Sequence, residues 1–304
     1  METFREIGKR LSNWERWGSE DRLGTLNHIT PERLVEAVRL VRAGKLFDLG
    51  IPISSNGIQP PGGARANPVH LMSITALDKL DPDSVYTDDY IFMPLQSVTQ
   101  WDGLGHTGYD GKFYNGVPVE SVNTTAGSTV ISIHQIAAKG VVGRGVLLDI
   151  AALKGVDRLN AGYSIEPAEL EAAEAKQGVE VRPGDILLIR TGWIRHFLVD
   201  KAPAAFWHGE PGIGLACAEW LHAREVAAIC SDNGALEVID PAHPDLPLHR
   251  VLIRDMGMTL GEIFDLEALA QDCAADNVWE FLFMAPPLKV IGGVGTPITP
   301  LAIK

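Results

Sequence analysis

The chain contains 304 residues, of which 46% are hydrophobic and 21% are charged, and its formal charge at pH 7 is −13. This composition supports a substantial core and excludes a disordered or low-complexity protein. The negative charge repels phosphate backbones and no Lys/Arg cluster offsets it, so a nucleic-acid partner is not expected. No apolar run approaches the ~20 residues that cross a bilayer, and the N-terminal segment lacks an apolar signal region, which predicts a cytoplasmic protein without membrane association.

The first third of the chain predicts one helix, two strands and a long loop. Thr30-Pro31 starts a helix whose apolar stripe ends at Gly44, and residues 47–54 are predicted as a strand. Residues 55–68 contain too many Pro and Gly residues for regular structure, and such a long loop is typical of a lid or a subunit contact. Residues 90–99 are predicted as a strand that leads directly into a polar segment.

The remaining chain alternates strands and helices irregularly. Strands are predicted at 129–137, 145–153, 184–192, 226–232, 280–293 and 296–303, and helices at 167–177, 215–224 and from about 247 to 257. This mixture predicts an α/β fold, and the lack of a linker favours one domain. The three cysteines are far apart and form no CxxC motif, so we expect them to be reduced and mostly buried.

The polar segment at residues 96–116 reads QSVTQWDGLGHTGYDGKFYNG. Asp102 and His106 are four residues apart among glycines, which allow the backbone to turn tightly and approach an ion. A carboxylate and an imidazole are typical ligands of a divalent cation, but a metal site needs further ligands from elsewhere. The spacing by itself leaves open a polar loop without a metal.

A second segment, LHRVLIRDMGMTLGEIFDL at 248–266, contains the other candidate ligands. His249 lies on a predicted helix and Glu262 on the extended segment that follows. An alternative ligand set combines His249 with His243 and Asp245, although the prolines around them favour a loop that positions His249.

Together these segments resemble the cyclase family of metal-dependent hydrolases, which includes bacterial kynurenine formamidases and isatin hydrolases. The family hallmark is H-x-G-T-H-x-D-x-P-x-H, and the aligned segment here is QSVTQWDGLGH. Thr99, Asp102 and His106 match the hallmark, whereas Gln96 and Gln100 replace its two early histidines, Val98 its glycine and Leu104 its proline. The resemblance extends through WGSEDRLGTLNHITPERL, GRGVLLDI, RPGDILLIRTGW and APPLKVIGGVGTPITPLAI, and its order and spacing fit the longer members.

The resemblance implies the architecture and the assembly. A layered β/β/α fold with mixed sheets, similar to swivelling domains, is expected. Residues 1–304 then form a single domain, with residues 1–45 as an N-terminal helical extension. The family resemblance also implies a homo-oligomer, either a dimer or a tetramer.

The resemblance further implies one metal position rather than two. The first family position corresponds to Gln96, Gln100 and Asp102, and it has lost its imidazoles. The second corresponds to Asp102, His106, His249 and Glu262, and it is intact. We therefore expect one divalent ion per chain, Mn²⁺, Zn²⁺ or Fe²⁺, with Gln100 able to add an oxygen ligand. The alternative is that the metal is lost and the glutamines form hydrogen bonds in a ligand pocket.

The expected chemistry is hydrolysis. A bound divalent ion lowers the pKa of water toward ~7 and polarises a carbonyl, which suits the opening of a cyclic or formyl amide, a lactam or a lactone. His106 is expected to transfer the proton if it does not bind the metal, and otherwise Glu262 or a histidine behind the metal ligands does. The alternatives are a cyclase or dehydratase that uses the same ion, and a metal-free binding protein.

The aromatic residues of the same segment suggest the substrate class. Trp101, Phe113 and Tyr114, together with Gln96, are predicted to contact a flat, apolar or aromatic small molecule. The alternative for these rings is packing in the core.

Overall fold

A mixed β-sheet organises the protein. The computed structural model describes residues 2–78, 80–242 and 244–304. The strands are β1 (Leu46–Asp48), β2 (Val69–Ile74), β3 (Asp88–Phe92), β4 (Gln100–Asp102), β5 (Val122–Asn123), β6 (Gly127–Ser128), β7 (Val142–Asp149), β8 (Ser164–Ile165), β9 (Ile186–Arg190), β10 (Gly212–Ile213), β11 (Ala228–Ser231), β12 (Thr259–Glu262), β13 (Glu280–Met284), β14 (Gly295–Pro297) and β15 (Leu301–Ile303). Nine of them form one sheet in the order β1-β15-β13-β7-β9-β11-β12-β4-β14.

Helices connect and flank these strands. They are α1 (Phe4–Arg10), α2 (Pro31–Val38), α3 (Ile133–Lys139), α4 (Ile150–Leu153), α5 (Pro167–Gln177), α6 (Arg195–Leu198), α7 (Pro203–Phe206), α8 (Cys217–Ala223), α9 (Pro247–His249) and α10 (Glu267–Asp276). A π-helical segment, Arg250–Asp255, continues α9, and short 3₁₀ turns span Gly24–His28, Tyr114–Gly116 and Val119–Ser121. Within the described ranges, none of the helices has the length and apolar character that a bilayer crossing needs.

The centre of the sheet is parallel and buried on both faces. Strands β7, β9, β11 and β12 run parallel, and antiparallel strands flank them on either side. Strand β9 has the sequence ILLIR, and its first four residues are the buried apolar run expected in a parallel sheet. The fifth, Arg190, is also buried and forms ion pairs with Asp149 and Glu267. Leu188 packs in the core on one face and Leu187 in the core on the other. The predicted α/β class is confirmed.

Several predicted elements are confirmed and others are wrong. The helix at 167–177 is present with the predicted bounds, and the strands at 184–192 and 226–232 and the helix at 215–224 are present with shorter bounds. The strand predicted at 129–137 is instead a helix, α3, because Ser132 and Gln135 form a capping box in which Ser132 N donates to Gln135 Oε1 at 2.9 Å. The strand at 145–153 stops at Asp149, whose carboxylate caps α4 by accepting from Ala152 N at 2.8 Å.

The prediction for residues 90–99 also needs correction. Residues 88–92 belong to β3, which pairs only with β2 in a separate hairpin. Pro94 lies between β3 and β4, and because proline cannot donate to a strand ladder, it interrupts the predicted strand. The polar segment therefore enters the sheet at Gln100. The assignment of residues 1–304 to one domain stays a prediction.

Candidate metal centre

Strand pairing places three polar side chains on one face of the sheet. In the antiparallel pair of β12 and β4, Glu262 lies opposite Gln100 and Leu260 lies opposite Asp102. Directly opposed residues share a face, and residues two apart along a strand share it as well. Gln100, Asp102 and Glu262 therefore project together, and all three are buried.

The opposite face of the same strands is apolar and tightly packed. Trp101 is fully buried, and its Nε1 donates to the backbone oxygen of Ala285 at 2.7 Å. Its ring lies across Gly261, where an added Cβ would come within 2.8 Å of the Trp101 ring. Glycine is thus required at 261 so that β12 and β4 can hold Glu262 and Asp102 in register.

His249 reaches the cluster from α9 and is oriented by Glu237. The Glu237 carboxylate accepts hydrogen bonds from the backbone nitrogens of Leu248 and His249 at 2.9 and 2.7 Å. It also lies 2.6 Å from His249 Nδ1, which directs the other ring nitrogen toward the sheet. His249 Nε2 lies 3.1 Å from Glu262 Oε1. A carboxylate behind the imidazole is the usual arrangement for a metal-binding histidine.

The donor atoms fit a divalent cation. One ligand atom each from Asp102, His249 and Glu262 lies within 4.8 Å of the other two. Both carboxylate oxygens of Asp102 and the amide oxygen of Gln100 are buried and have no hydrogen-bond partner in the part of the chain that the structure describes. Gln100 Nε2 donates to Glu262 Oε2 at 2.6 Å, which leaves its amide oxygen free. Unpaired buried oxygens are costly, and a cation ligated by them removes that cost.

The charges of the site also favour a cation. Burial, and then the neighbouring charge of Glu262, raise the pKa of Asp102 to about 6. Burial alone would lower the pKa of His249, but its hydrogen bonds to Glu237 and Glu262 raise it to about 10. The three carboxylates around one imidazole leave a surplus of negative charge, which a divalent ion would neutralise.

A cavity of about 380 Å³ opens onto this cluster. Asp102, His249 and Glu262 line it together with His106. The rest of its wall is mostly apolar and includes Pro60, Ala64, Trp207, Ala235, Ile239 and Leu246. The residues 55–68, predicted as a loop, supply part of this wall. The cavity is thus a pocket of small-molecule size that combines apolar walls with a small number of polar and charged groups.

The structure brings three of the four predicted ligands together and leaves His106 beside them. His106 Nε2 is 3.4 Å from Asp102 Oδ2, and its Nδ1 is 3.4 Å from Gln96 Nε2. About a quarter of the His106 side chain is exposed, whereas Asp102 is almost completely buried. His106 therefore faces the cavity next to the ligand cluster. Gln96 contacts His106 and does not line the cavity itself.

The predicted aromatic contacts to substrate are corrected by the structure. Trp101, Phe113 and Tyr114 are buried in the core, and none of them lines the cavity. Trp101 projects to the other face because side chains alternate along β4. The Tyr114 hydroxyl instead donates to Asp21 Oδ2 at 3.0 Å. The predicted alternative of core packing is the one observed.

The alternative ligand set around His243 receives no support from the described residues. His243 itself lies outside them. Asp245 is exposed and forms an ion pair with Arg250 at 2.6 Å. Sequence reasoning missed Glu237, Arg65 and Trp207, because no spacing motif connects these residues to the two ligand segments.

These features describe a mixed α/β protein with buried carboxylates and an imidazole at the end of an apolar pocket. The Cyclase family model, described as "Putative cyclase", matches residues 47–238, and the chain belongs to this family. A crystal structure of a protein described as a novel cyclase is 42% identical, with a TM-score of 0.90, over 98% of this chain and 99% of that chain. No curated protein matches the chain in sequence.

More distant structures share the fold. Isatin hydrolase A from Ralstonia solanacearum is 21% identical with a TM-score of 0.63, over 86% of this chain and 92% of that chain. Isatin hydrolase A from Labrenzia aggregata, bound to benzyl benzoate, is also 21% identical, with a TM-score of 0.62, over 89% of this chain and 97% of that chain. The architecture expected from the sequence resemblance is therefore confirmed.

Proposed function

We propose that the protein is a metal-dependent hydrolase that opens a cyclic or formyl amide, a lactam or a lactone. One observation carries this proposal. The carboxylate oxygens of Asp102 and the amide oxygen of Gln100 are buried without hydrogen-bond partners, next to His249 and Glu262 and at the end of a pocket. Oxygen and imidazole donors of this kind suit Mn²⁺, Zn²⁺ or Fe²⁺.

Some side chains of the site would bind the ion, and another would transfer a proton. A divalent ion held by Asp102, His249 and Glu262 supplies Lewis-acid chemistry, because it acidifies water and polarises a carbonyl. Gln100 donates to Glu262 and so fixes the orientation of that carboxylate. Glu237 does the same for His249. The cluster is therefore preorganised by hydrogen bonds that leave the Asp102 oxygens free.

His106 is the proposed proton carrier. Its ring lies in the cavity, and its Nε2 is 3.4 Å from Asp102 Oδ2, outside the cluster of mutually close ligand atoms. From this position it can receive a proton from water and pass it to the leaving nitrogen or oxygen. The partly exposed ring can also exchange protons with solvent.

The pocket supports a compact apolar substrate. A volume of about 380 Å³ accommodates a molecule of one or two rings, and its walls are mostly apolar. Trp207 contributes the aromatic surface, and its Nε1 donates to the backbone oxygen of Ile58 at 2.8 Å, which fixes the ring. A single pocket residue thus replaces the aromatic contacts predicted from residues 101–114.

The test is a substrate screen on metal-reconstituted protein. Esters, lactones, lactams and N-formyl compounds are incubated with protein loaded with Mn²⁺ or Zn²⁺, and Asp102→Ala and Cys230→Ser serve as a matched pair of buried substitutions. We expect turnover in the wild type and in Cys230→Ser, and neither turnover nor metal retention in Asp102→Ala. Full activity of Asp102→Ala would refute the proposal.

Two rival functions give different results in the same experiment. Incorporation of ¹⁸O from solvent into the product indicates hydrolysis, whereas its absence indicates a cyclase or dehydratase. Negligible metal content with retained binding of an aromatic ligand would instead indicate a metal-free binding protein.

A further inference from the structure

Arg65 places a positive charge in the pocket beside the carboxylates. It belongs to the Pro- and Gly-rich loop and lines the same cavity as Asp102, His249 and Glu262. The guanidinium and the ligand cluster therefore belong to the wall of one cavity.

Most of the hydrogen-bonding capacity of Arg65 is unused. Its Nη1 donates to the backbone oxygen of Gln96 at 2.8 Å, and this bond anchors the side chain against the segment that leads into β4. In residues 2–78, 80–242 and 244–304, this is the hydrogen bond that Arg65 forms, and no carboxylate forms an ion pair with it. A guanidinium has five N–H groups, so an anchored arginine retains several donors for a ligand.

The apolar wall of the pocket indicates which kind of ligand group the Arg65 guanidinium would bind. Its wall is largely apolar, and a guanidinium among apolar side chains gains strongly from a bidentate partner. Asp102 and Glu262 do not form an ion pair with Arg65: the Glu262 carboxylate contacts Gln100 and His249, and Asp102 Oδ2 lies 3.4 Å from His106 Nε2. Arg65 is partly exposed, so water solvates its remaining donors in the free protein, and a carboxylate on a molecule that enters the pocket would replace that water as a bidentate partner.

We propose that Arg65 determines specificity for a substrate with a carboxylate attached to its apolar body. This inference rests on the proposed function for the reaction, but the binding preference can be measured without turnover. In this arrangement the substrate carboxylate pairs with Arg65, and the bond to be cleaved faces Asp102, His249 and Glu262. An acidic substrate would then pair with Arg65 rather than with the cluster of Asp102, His249 and Glu262.

The experiment compares matched acid and neutral ligands. Binding of benzoate and benzamide is measured by calorimetry in buffer containing Mn²⁺ with wild-type protein, Arg65→Gln, Arg65→Lys and the surface control Arg42→Gln. We expect wild type and Arg42→Gln to bind benzoate at least about tenfold more tightly than benzamide, as one charge-assisted pair provides. Arg65→Gln should lose the preference, and Arg65→Lys should keep part of it. Circular dichroism establishes that each variant is folded.

Three results would overturn the inference. The first is that wild-type protein binds benzoate and benzamide equally, and the second is that it does not bind benzoate at millimolar concentration. The third is that Arg65→Gln keeps the preference for benzoate, because the anion would then bind the metal and not Arg65. The kinetic arm uses 3-formamidobenzoate and formanilide, which differ only in the carboxylate. An equal loss of kcat for both substrates in Arg65→Gln would indicate an effect on the reacting carbonyl and would also contradict the inference.

Failure of the proposed function is distinguishable from failure of this inference. If no amide or lactone is hydrolysed but the Arg65-dependent preference for benzoate is present, the specificity assignment holds and the reaction assignment fails. If hydrolysis depends on Asp102 but acidic and neutral ligands bind alike, the reverse applies.

Discussion

Replacing Asp102 by asparagine should separate stability from metal binding. Both carboxylate oxygens lack hydrogen-bond partners, so the isosteric amide loses little in the metal-free protein. Burial and Glu262 raise the pKa of Asp102 from 3.8 to about 6. At ~1.4 kcal/mol per pKa unit, the charged carboxylate costs about 3 kcal/mol of folding free energy at pH 7.5. Metal-free Asp102→Asn should therefore be more stable than the wild type by about 1–3 kcal/mol.

The sign of the pH dependence follows from the direction of the shift. Because the pKa is higher in the folded state, folding favours the protonated carboxyl group, and stability falls as pH rises from 3.8 to about 6. This part of the pH dependence should be absent from Asp102→Asn. The assay is urea denaturation with EDTA between pH 4 and pH 8, repeated at neutral pH with Mn²⁺. The ion should stabilise the wild type by about 2.7 kcal/mol at a hundredfold excess over Kd, and the variant far less.

Asp232 provides a matched control. Asp232 is as buried as Asp102, and burial also raises the pKa of Asp232 to about 6. Unlike Asp102, its carboxylate oxygens accept hydrogen bonds from Thr191 N, Thr191 Oγ1 and Gly192 N at 2.9, 2.5 and 2.7 Å. Asp232→Asn should therefore lose about 1–3 kcal/mol, because an amide nitrogen cannot accept. A metal-free Asp102→Asn protein that is less stable than the wild type, or one that Mn²⁺ stabilises as strongly, would refute the reasoning.

Three further predictions concern the supports of the site and the assembly. Gly261→Ala should lower the free energy of unfolding by about 1–3 kcal/mol, because the added methyl group overpacks against Trp101. Thermal melting measures this loss, and an unchanged melting temperature would contradict the close packing. Glu237→Gln should weaken metal binding by ~10–100-fold in calorimetry, because His249 loses the carboxylate that orients it, and an unaltered affinity would remove that role. The predicted homo-oligomer should bury the exposed apolar hairpin of β2 and β3, in which Phe92 is 77% exposed. Phe92→Ser should therefore shift the sedimentation coefficient toward that of the monomer. A monomeric wild-type protein would contradict the predicted assembly.

The sequence was most informative where local pattern and burial agree. The run ILLI predicts a buried strand because all four residues are apolar, and β9 is the centre of the sheet. Prediction failed where capping chemistry outweighs apolar content. Ser132 begins a helix in a β-branched segment, and Asp149 ends a strand by capping the next helix.

The site was predictable only in part, for a geometric reason. Asp102, His249 and Glu262 were expected together from the family resemblance, and strand register with α9 brings them within 4.8 Å. The alternation of side chains along β4 could have predicted that Trp101 faces away from Asp102. Arg65 and Glu237 could not be found this way, because they lie in irregular segments whose course depends on the whole fold.

A crystal structure of protein soaked with Mn²⁺, recorded with anomalous scattering, tests the central claim most directly. The account predicts one anomalous peak per chain, bounded by Asp102, His249 and Glu262, with the amide oxygen of Gln100 turned toward it. No peak at this position, or two adjacent peaks that include Gln96, would contradict it.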